Sequence, residues 1–146
     1  MIVDWSAKNG MVINVKKPFV IHFGPNNKMY SYNVNGLLLE SRENIRDLGI
    51  EVDNNLSFSE HTRLVKTRCF KMINLIFRFF HVKDKEFYCK LYKIYVLPIL
   101  SYGVSIYFTN TKNCMNNVEK IQKYFTRRLF HKIHGKTPRP HYSVFR

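Results

Sequence analysis

A change of periodicity near position 56 constrains this chain more than any other feature. Before it, short apolar runs are separated by Asn, Gly and Pro; after it, apolar residues recur every three or four positions over stretches of about twenty. The first pattern fits short strands and the second fits amphipathic helices. The expected fold class is therefore α+β: a small antiparallel sheet of three to five strands, followed by a bundle of about three helices. We place the sheet part at 1–55, the helical part at 56–135 and an exposed tail, with Pro138 and Pro140, at 136–146. The 146 residues are one domain's worth at roughly 150 residues per domain, and no internal repeat is present.

In the first part, residues 2–7 read as the end of a helix stopped by Asn9-Gly10, a common left-handed terminator. Met11-Val12-Ile13 and residues 19–23 read as strands. Pro25-Asn26-Asn27 is turn chemistry, and residues 30–34 alternate as a strand does. Asn35-Gly36, between Val34 and Leu37, is the favoured two-residue hairpin connection, with 37–39 as the return strand. Residues 47–52 form one more apolar segment before Asp53-Asn54-Asn55 turns the chain.

The second part opens with Ser57-Phe58-Ser59-Glu60, which has the spacing of a capping box: hydroxyl and carboxylate would satisfy the open N–H groups at a helix start. The helix should run to about Phe80. Val65, Cys69, Met72, Ile73, Ile76 and Phe80 share one face, and Arg63, Thr67, Lys71, Asn74 and Arg78 the other. Asp84 should cap a second helix, which Pro98 must kink or end because it lacks an N–H donor. A third helix is predicted over about 116–134. Its apolar stripe is Val118, Ile121, Phe125, Leu129 and Ile133; its opposite face, Lys120, Lys123, Arg127, His131 and His134, carries no acid.

Twenty-four Lys and Arg against ten Asp and Glu give a formal net charge of +14, which calls for a polyanionic partner. Nucleic acid leads, with an anionic membrane surface second. Two helices that are apolar on one side and cationic on the other suit a scaffold laying Lys and Arg along a phosphate backbone. Phe70 and Phe77, at the rim of the first basic face, are the aromatics placed to offer a stacking platform. The longest apolar stretch, residues 95–108, is interrupted and too short for a membrane span, and residues 1–10 lack the order of a signal peptide. Three cysteines about 20 to 25 residues apart, with no C-x-x-C pair, write neither a disulfide framework nor a zinc ribbon. A reducing, intracellular setting, cytoplasmic or nuclear, fits best.

Catalytic constellations are hard to find. Two-metal phosphoryl transfer needs converging carboxylates, and the acids here are scattered. Glu51 and Asp53 could share one strand face, but they read better as solvent-facing turn residues. His131 and His134 stand at i, i+3 without a third ligand nearby, and a place on the basic face suits them better than metal ligation. No Gly-rich phosphate loop, G-x-S-x-G elbow or H-E-x-x-H is present. From the residues alone the chain reads as a binding unit with no metal or other cofactor of its own.

The order of segments also resembles a known family. Asn9-Gly10-Met11-Val12-Ile13-Asn14-Val15-Lys16-Lys17 followed by Phe19-Val20-Ile21-His22-Phe23-Gly24 resembles the motif D region of reverse transcriptases from non-LTR retrotransposons. Tyr30 to Val34 with Asn35-Gly36, then Arg46-Asp47-Leu48-Gly49-Ile50-Glu51-Val52-Asp53, is similar to the run containing the primer grip. Leu56-Ser57-Phe58-Ser59-Glu60-His61 is similar to the opening of the thumb. Tyr95-Val96-Leu97-Pro98-Ile99-Leu100-Ser101-Tyr102-Gly103 and Glu119-Lys120-Ile121-Gln122-Lys123-Tyr124-Phe125-Thr126-Arg127 resemble two later blocks. Five blocks in the right order cover almost the whole chain, and the subgroup resembled is jockey-like or CR1-like.

The resemblance implies the end of a polymerase palm plus the thumb, without the family's metal-binding aspartates, so that Mg²⁺ and nucleotidyl transfer belong to an intact polymerase with upstream fingers and palm. It implies that Lys17 occupies the motif D lysine site, the general acid toward departing pyrophosphate in such a polymerase, with Lys16 as an alternative. Lys17-Pro18 departs from the family's usual Lys-Thr. It places Leu48 and Gly49 on a turn near the primer terminus. The helix beginning near Ser59 would lie along the template–primer duplex, with Arg63, Lys66, Lys71 and Arg78 as a phosphate-facing row and A-form geometry read through backbone and 2′-hydroxyl contacts. RNA, DNA or a hybrid is the expected partner. The competing readings are a stand-alone basic nucleic-acid-binding module and a degenerate retroelement remnant.

Overall fold

The computed structural model describes residues 2–11, 13–14, 17–107 and 112–135. It divides into two compact units, Met1–Ser57 and Phe58–Arg146, and the architecture is α+β, with small two-stranded ladders in the first unit and helices dominating the second.

The first unit begins with α1 (Ile2–Lys8). Gly10 at φ 67° lets the Met11 N–H return to the Ser6 carbonyl at 2.9 Å, the six-to-one bond of a Schellman stop. Met11 and Ile13 then run outside any strand, so the strand expected there does not form; Val12 lies outside the described residues. Six short strands pair as three separate ladders instead of one sheet. β1 (Phe19–Val20) lies parallel to β4 (Glu40–Ser41), β2 (Asn33–Val34) antiparallel to β3 (Leu37–Leu38), and β5 (Asn44–Asp47) antiparallel to β6 (Ile50–Asp53). The hairpin at Asn35-Gly36 is as expected: both residues have positive φ, 52° and 79°, the conformation Asn-Gly adopts at least cost. Leu48-Gly49 makes the same kind of turn, at 45° and 87°. The segments 19–23 and 30–34 are strand only at one end each. Among the described residues of this unit only Ser6 and Ile50 are buried, so too little apolar surface is removed from water to hold a continuous sheet together.

The second unit has a core. Its first long helix, α2 (Ser59–Phe79), is capped by Phe58 in the left-handed region at φ 52° with no side-chain cap, so the capping box does not form. Asp53 takes the serine instead: its carboxylate accepts from the Ser57 N–H at 2.9 Å and the Ser57 hydroxyl at 2.9 Å, and Glu60 turns to Arg63. Phe58 is buried in exchange. Asp84 does cap α3 (Lys85–Leu91), accepting from the Glu86 N–H at 2.8 Å. Five residues of wide π-helical turn, Tyr92–Val96, then lead into α4 (Leu97–Ser101). Pro98 cannot donate to the Ile94 carbonyl and its ring crowds it; the wider turn absorbs that clash without ending the helical path. After the short α5 (Val104–Tyr107) comes α6 (Lys112–His134), which begins four residues earlier than its periodicity predicts.

The core gathers Val65, Cys69, Ile73, Ile76 and Phe77 of α2, Tyr88, Val96 and Leu100 from the middle segments, and Ile121, Phe125 and Leu129 of α6. The Phe77 ring stacks on Tyr88 at 4.7 Å, and Tyr92 meets Phe125 at 4.4 Å. Phe80, expected in the apolar stripe, lies beyond the helix end and stays outside the core at 39% exposure, its ring edge-on to Phe87 at 5.2 Å; its carbonyl accepts the Tyr88 hydroxyl at 2.7 Å, tying the end of α2 to α3.

Candidate nucleic-acid interface

Cross-helix contacts fix the rotation of α2 against α6. Thr62 receives contacts from Cys114 and Asn117, Phe70 stacks on Tyr124 at 4.4 Å, and Phe77 meets Phe125 at 5.7 Å. Residue numbers rise together on both helices, so the two run parallel. The outer rim of their seam is Phe70 and Asn74 on α2 against Tyr124 and Arg128 on α6: the Tyr124 hydroxyl donates to Asn74 Oδ1 at 2.5 Å, and the Arg128 guanidinium lies 5.9 Å from the Tyr124 ring centre.

That rim decides how the cations are arranged. At about 100° per residue, Arg63, Thr67, Lys71, Asn74 and Arg78 form a stripe bordering Phe70 and Asn74. On α6, Lys120, Arg127 and His131 form a stripe bordering Tyr124 and Arg128. Both basic faces therefore adjoin the same seam and form one wall of two parallel rows, with the Phe70–Tyr124 pair between them. At 1.5 Å per residue the α2 row is about 22 Å long and the α6 row about 16 Å. Sequence periodicity gives each stripe; only the Phe70–Tyr124 and Asn74–Tyr124 contacts, fifty or more residues apart, make them neighbours.

The predicted residues do not contribute equally. Lys71, Arg78, Lys120 and Arg127 are exposed and have no ion pair among the described residues. Arg63 is held by Glu60 at 2.5 and 2.7 Å, and that hydrogen bond lowers the Glu60 carboxyl and raises the guanidinium. Lys123, at the edge of its stripe farthest from α2, is held by Glu119 at 2.7 Å; its hydrogen bond lowers the Glu119 carboxyl. The α6 face therefore does carry an acid at its margin. The i, i+4 spacing of Glu119 and Lys123 was the sequence signal for it. Lys66 is half-buried, its ammonium 5.8 Å from the Phe70 ring centre. Phe77, expected at the rim, is buried in the core and offers no platform. Arg128 and Tyr124 are the rim residues that periodicity alone missed; their signal was the i, i+4 spacing that puts an aromatic and a cation one turn apart on the α2-facing side.

The remaining predicted positions belong to the first unit. Lys17 is exposed, its backbone N–H bonded to the Asn14 carbonyl at 3.1 Å. Leu48 and Gly49 form the tip of the β5–β6 hairpin, with Leu48 83% exposed. Lys16 and the tail at 136–146 lie outside the described residues. Glu51 and Asp53 are not solvent-facing turn residues: both lie on β6 and are half-buried, Glu51 facing Arg46 at 3.7 Å and Asp53 closing the 53–57 loop through Ser57. An open depression of about 570 Å³ lies between 19–23 and 32–34.

Charge is distributed as unevenly as burial. In residues 1–57 six Lys and Arg balance six Asp and Glu, whereas residues 58–146 hold 18 against four, so the whole excess of +14 lies in the second part. Among the described residues no three His, Cys, Asp or Glu gather as metal ligands, and no helix is long and apolar enough to cross a membrane. Cys69, Cys89 and Cys114 are free thiols. Burial pushes the Cys69 thiol up to about 11, which keeps it protonated and a poor nucleophile.

No protein-family model matches the chain, and no solved structure matches it. An uncharacterized protein of Caenorhabditis elegans is 34% identical over 86 residues, which cover 59% of this chain and 43% of that protein. The chain thus spans less than half the length of the curated relative it matches.

Proposed function

We propose that the second unit grips the phosphate backbone of nucleic acid along the α2–α6 wall, and that the chain corresponds to the C-terminal palm and thumb of an RNA-directed DNA polymerase of the non-LTR retrotransposon type. The observation that carries the binding reading is the shared seam: two cationic rows that could have faced opposite sides of the bundle lie side by side. A polyanion that replaces its counterions with Lys and Arg gains most from such a surface, because each released counterion adds favourable entropy. The polymerase assignment is supported by the five ordered sequence blocks, with Lys17 and the Leu48-Gly49 turn in the roles the resemblance implies. On this reading the chain does not polymerise alone, since the carboxylates that hold Mg²⁺ in an intact polymerase are not among its motifs.

A stand-alone basic binding module is the second reading, whether retained for use or left as a retroelement remnant. It is favoured by one feature: the helical unit holds both the core and all of the net charge.

Filter binding of the full chain to a duplex at several salt concentrations tests the grip. Affinity should fall steeply with salt, and Lys71→Ala, Lys120→Ala and Arg127→Ala should each reduce the log–log slope by about 1. Lys123→Ala should reduce it less, because Glu119 already neutralises that ammonium, and Lys28→Ala in the neutral unit should leave it unchanged. Salt-independent binding, or equal slopes in all variants, would remove the wall from the contact surface.

A further inference from the structure

We infer that the outer side of the segment from the wide turn through α4 is an interface through which two copies of this chain associate; this goes beyond the backbone grip and does not depend on it. Charge is absent from this segment to a degree found nowhere else in the second unit. Residues 94–111 contain no Asp, Glu, Lys or Arg, whereas elsewhere in residues 58–146 no uncharged run exceeds six positions. Val96 and Leu100 point into the core one turn apart, so Ile94, two positions before the one, and Pro98, two before the other, fall on the outer side. Tyr102 continues that line, its N–H bonded to the Pro98 carbonyl at 3.1 Å, and Tyr95 and Leu97 flank it. All five are exposed, with Ile94 at 60%, Tyr95 at 50%, Leu97 at 43% and Tyr102 at 58%.

Half-exposed side chains of this size offer roughly 100 Å² apiece, so the stripe amounts to about 500 Å² of apolar surface, as large as the patches that serve a function on other monomers. Two copies laid face to face would bury about 1,000 Å² from the stripe alone, the level that a specific interface must clear. Electrostatics selects the occupant. Residues 58–146 carry 18 Lys and Arg against four Asp and Glu, and two such units repel each other wherever their cations meet. The stripe is where a like-charged copy approaches at least cost, because apolar contact requires no matching of sign and a two-fold axis lets one patch serve both partners. Lys90 and Lys93 border it, so repulsion across the interface is reduced but not removed, and screening should tighten the contact. An anionic membrane is the other surface that an apolar stripe could meet, but segments that lie on one carry Lys and Arg along their own length, and residues 94–111 carry none.

Sedimentation velocity of the full chain, freed of nucleic acid by nuclease treatment, tests this over a concentration series at low and high salt. The mass should rise with concentration from 17.5 kDa to twice that value. The dimer dissociation constant should fall about tenfold between roughly 0.1 and 1 M salt, as the Debye length shortens from ~10 to ~3 Å. Nucleic-acid binding responds to salt in the opposite sense, so bridging by a polyanion is told apart from direct contact. Ile94→Lys and Leu97→Lys place cations inside the stripe and should each weaken association by about tenfold or more, with helicity and denaturation midpoint unchanged because both side chains already meet water. Leu38→Lys, at an exposed apolar position of the first unit, should leave association unaltered. A monomer at every concentration and salt overturns the inference, as does a dimer that survives both stripe variants, one that Leu38→Lys abolishes, or one that loosens as salt rises. A monomer whose binding to phosphatidylserine vesicles is weakened by Leu97→Ser overturns it in favour of a membrane. None of these outcomes bears on the grip, whose readout is the salt slope of duplex binding in the Lys71, Lys120 and Arg127 variants.

Discussion

The two units divide the chemistry of the chain unequally. The first, Met1–Ser57, has balanced charge and among its described residues buries a single large apolar side chain, Ile50, while Trp5, Phe19, Phe23, Tyr30, Leu37 and Leu38 stay exposed. The second, Phe58–Arg146, buries aromatic and aliphatic residues from every helical segment of its core and carries the whole cationic excess. Helices satisfy their backbone hydrogen bonds internally, so an amphipathic pair such as α2 and α6 needs only one apolar face covered to be stable. Short strands must find both a hydrogen-bonding neighbour and a covering layer. A segment with turns and alternation but little buried apolar surface ends as isolated two-stranded ladders, which is what the described residues of the first unit show. Charge follows the same logic: a cationic surface can be tolerated where a core holds the backbone against self-repulsion.

Three measurements separate the two units, the first with the largest expected effect. Hydrogen exchange on the full chain should show amides of α2 and α6 protected by orders of magnitude while those of β1–β6 exchange at nearly unprotected rates, because local opening of the ladders exposes almost no apolar surface. Comparable protection in both units would mean that the ladders are held by something beyond the contacts described. Next, Phe125→Ala, which empties a site in contact with Phe77 and Tyr92, should cost about 3–5 kcal/mol in denaturant unfolding. Leu38→Ala, at a residue 73% exposed, should change stability by less than about 0.5 kcal/mol. Smallest is the pair of helix starts: Asp84→Ala should cost about 1 kcal/mol through loss of a working cap. Ser57→Ala should leave the helicity of α2 unchanged by circular dichroism, since its hydroxyl serves Asp53. A loss of α2 helicity in the latter variant would restore the capping box.

Residues whose conformation is decided by their immediate neighbours were legible. Asn35-Gly36 forms its hairpin, Asn9-Gly10 stops α1 and Asp84 caps α3, because each depends on backbone angles and bonds within a few positions. The stripes Val65-Cys69-Ile73-Ile76 and Ile121-Phe125-Leu129 are buried as their spacing requires. Phe80 and Phe77 exchanged roles because the helix ends at Phe79, one residue short of the assumed turn, and because Tyr88 and Phe125 supply ring partners for Phe77. Ser57 departs from its expected role for a similar reason: a capping box and a bond to Asp53 compete for one hydroxyl, and the choice depends on how the 53–57 loop closes.

Of the candidate interface, the sequence showed that positive side chains are regularly spaced on two helices, since a 3.6-residue repeat sorts them onto one side whatever lies opposite. It could not show that the two sides coincide. That follows from the rotation of α2 against α6, which is set by packing between residues about fifty positions apart, and a different rotation would have kept every helix and dispersed the wall. Local geometry is written in adjacent residues, but the relative orientation of two helices is a property of the core they share.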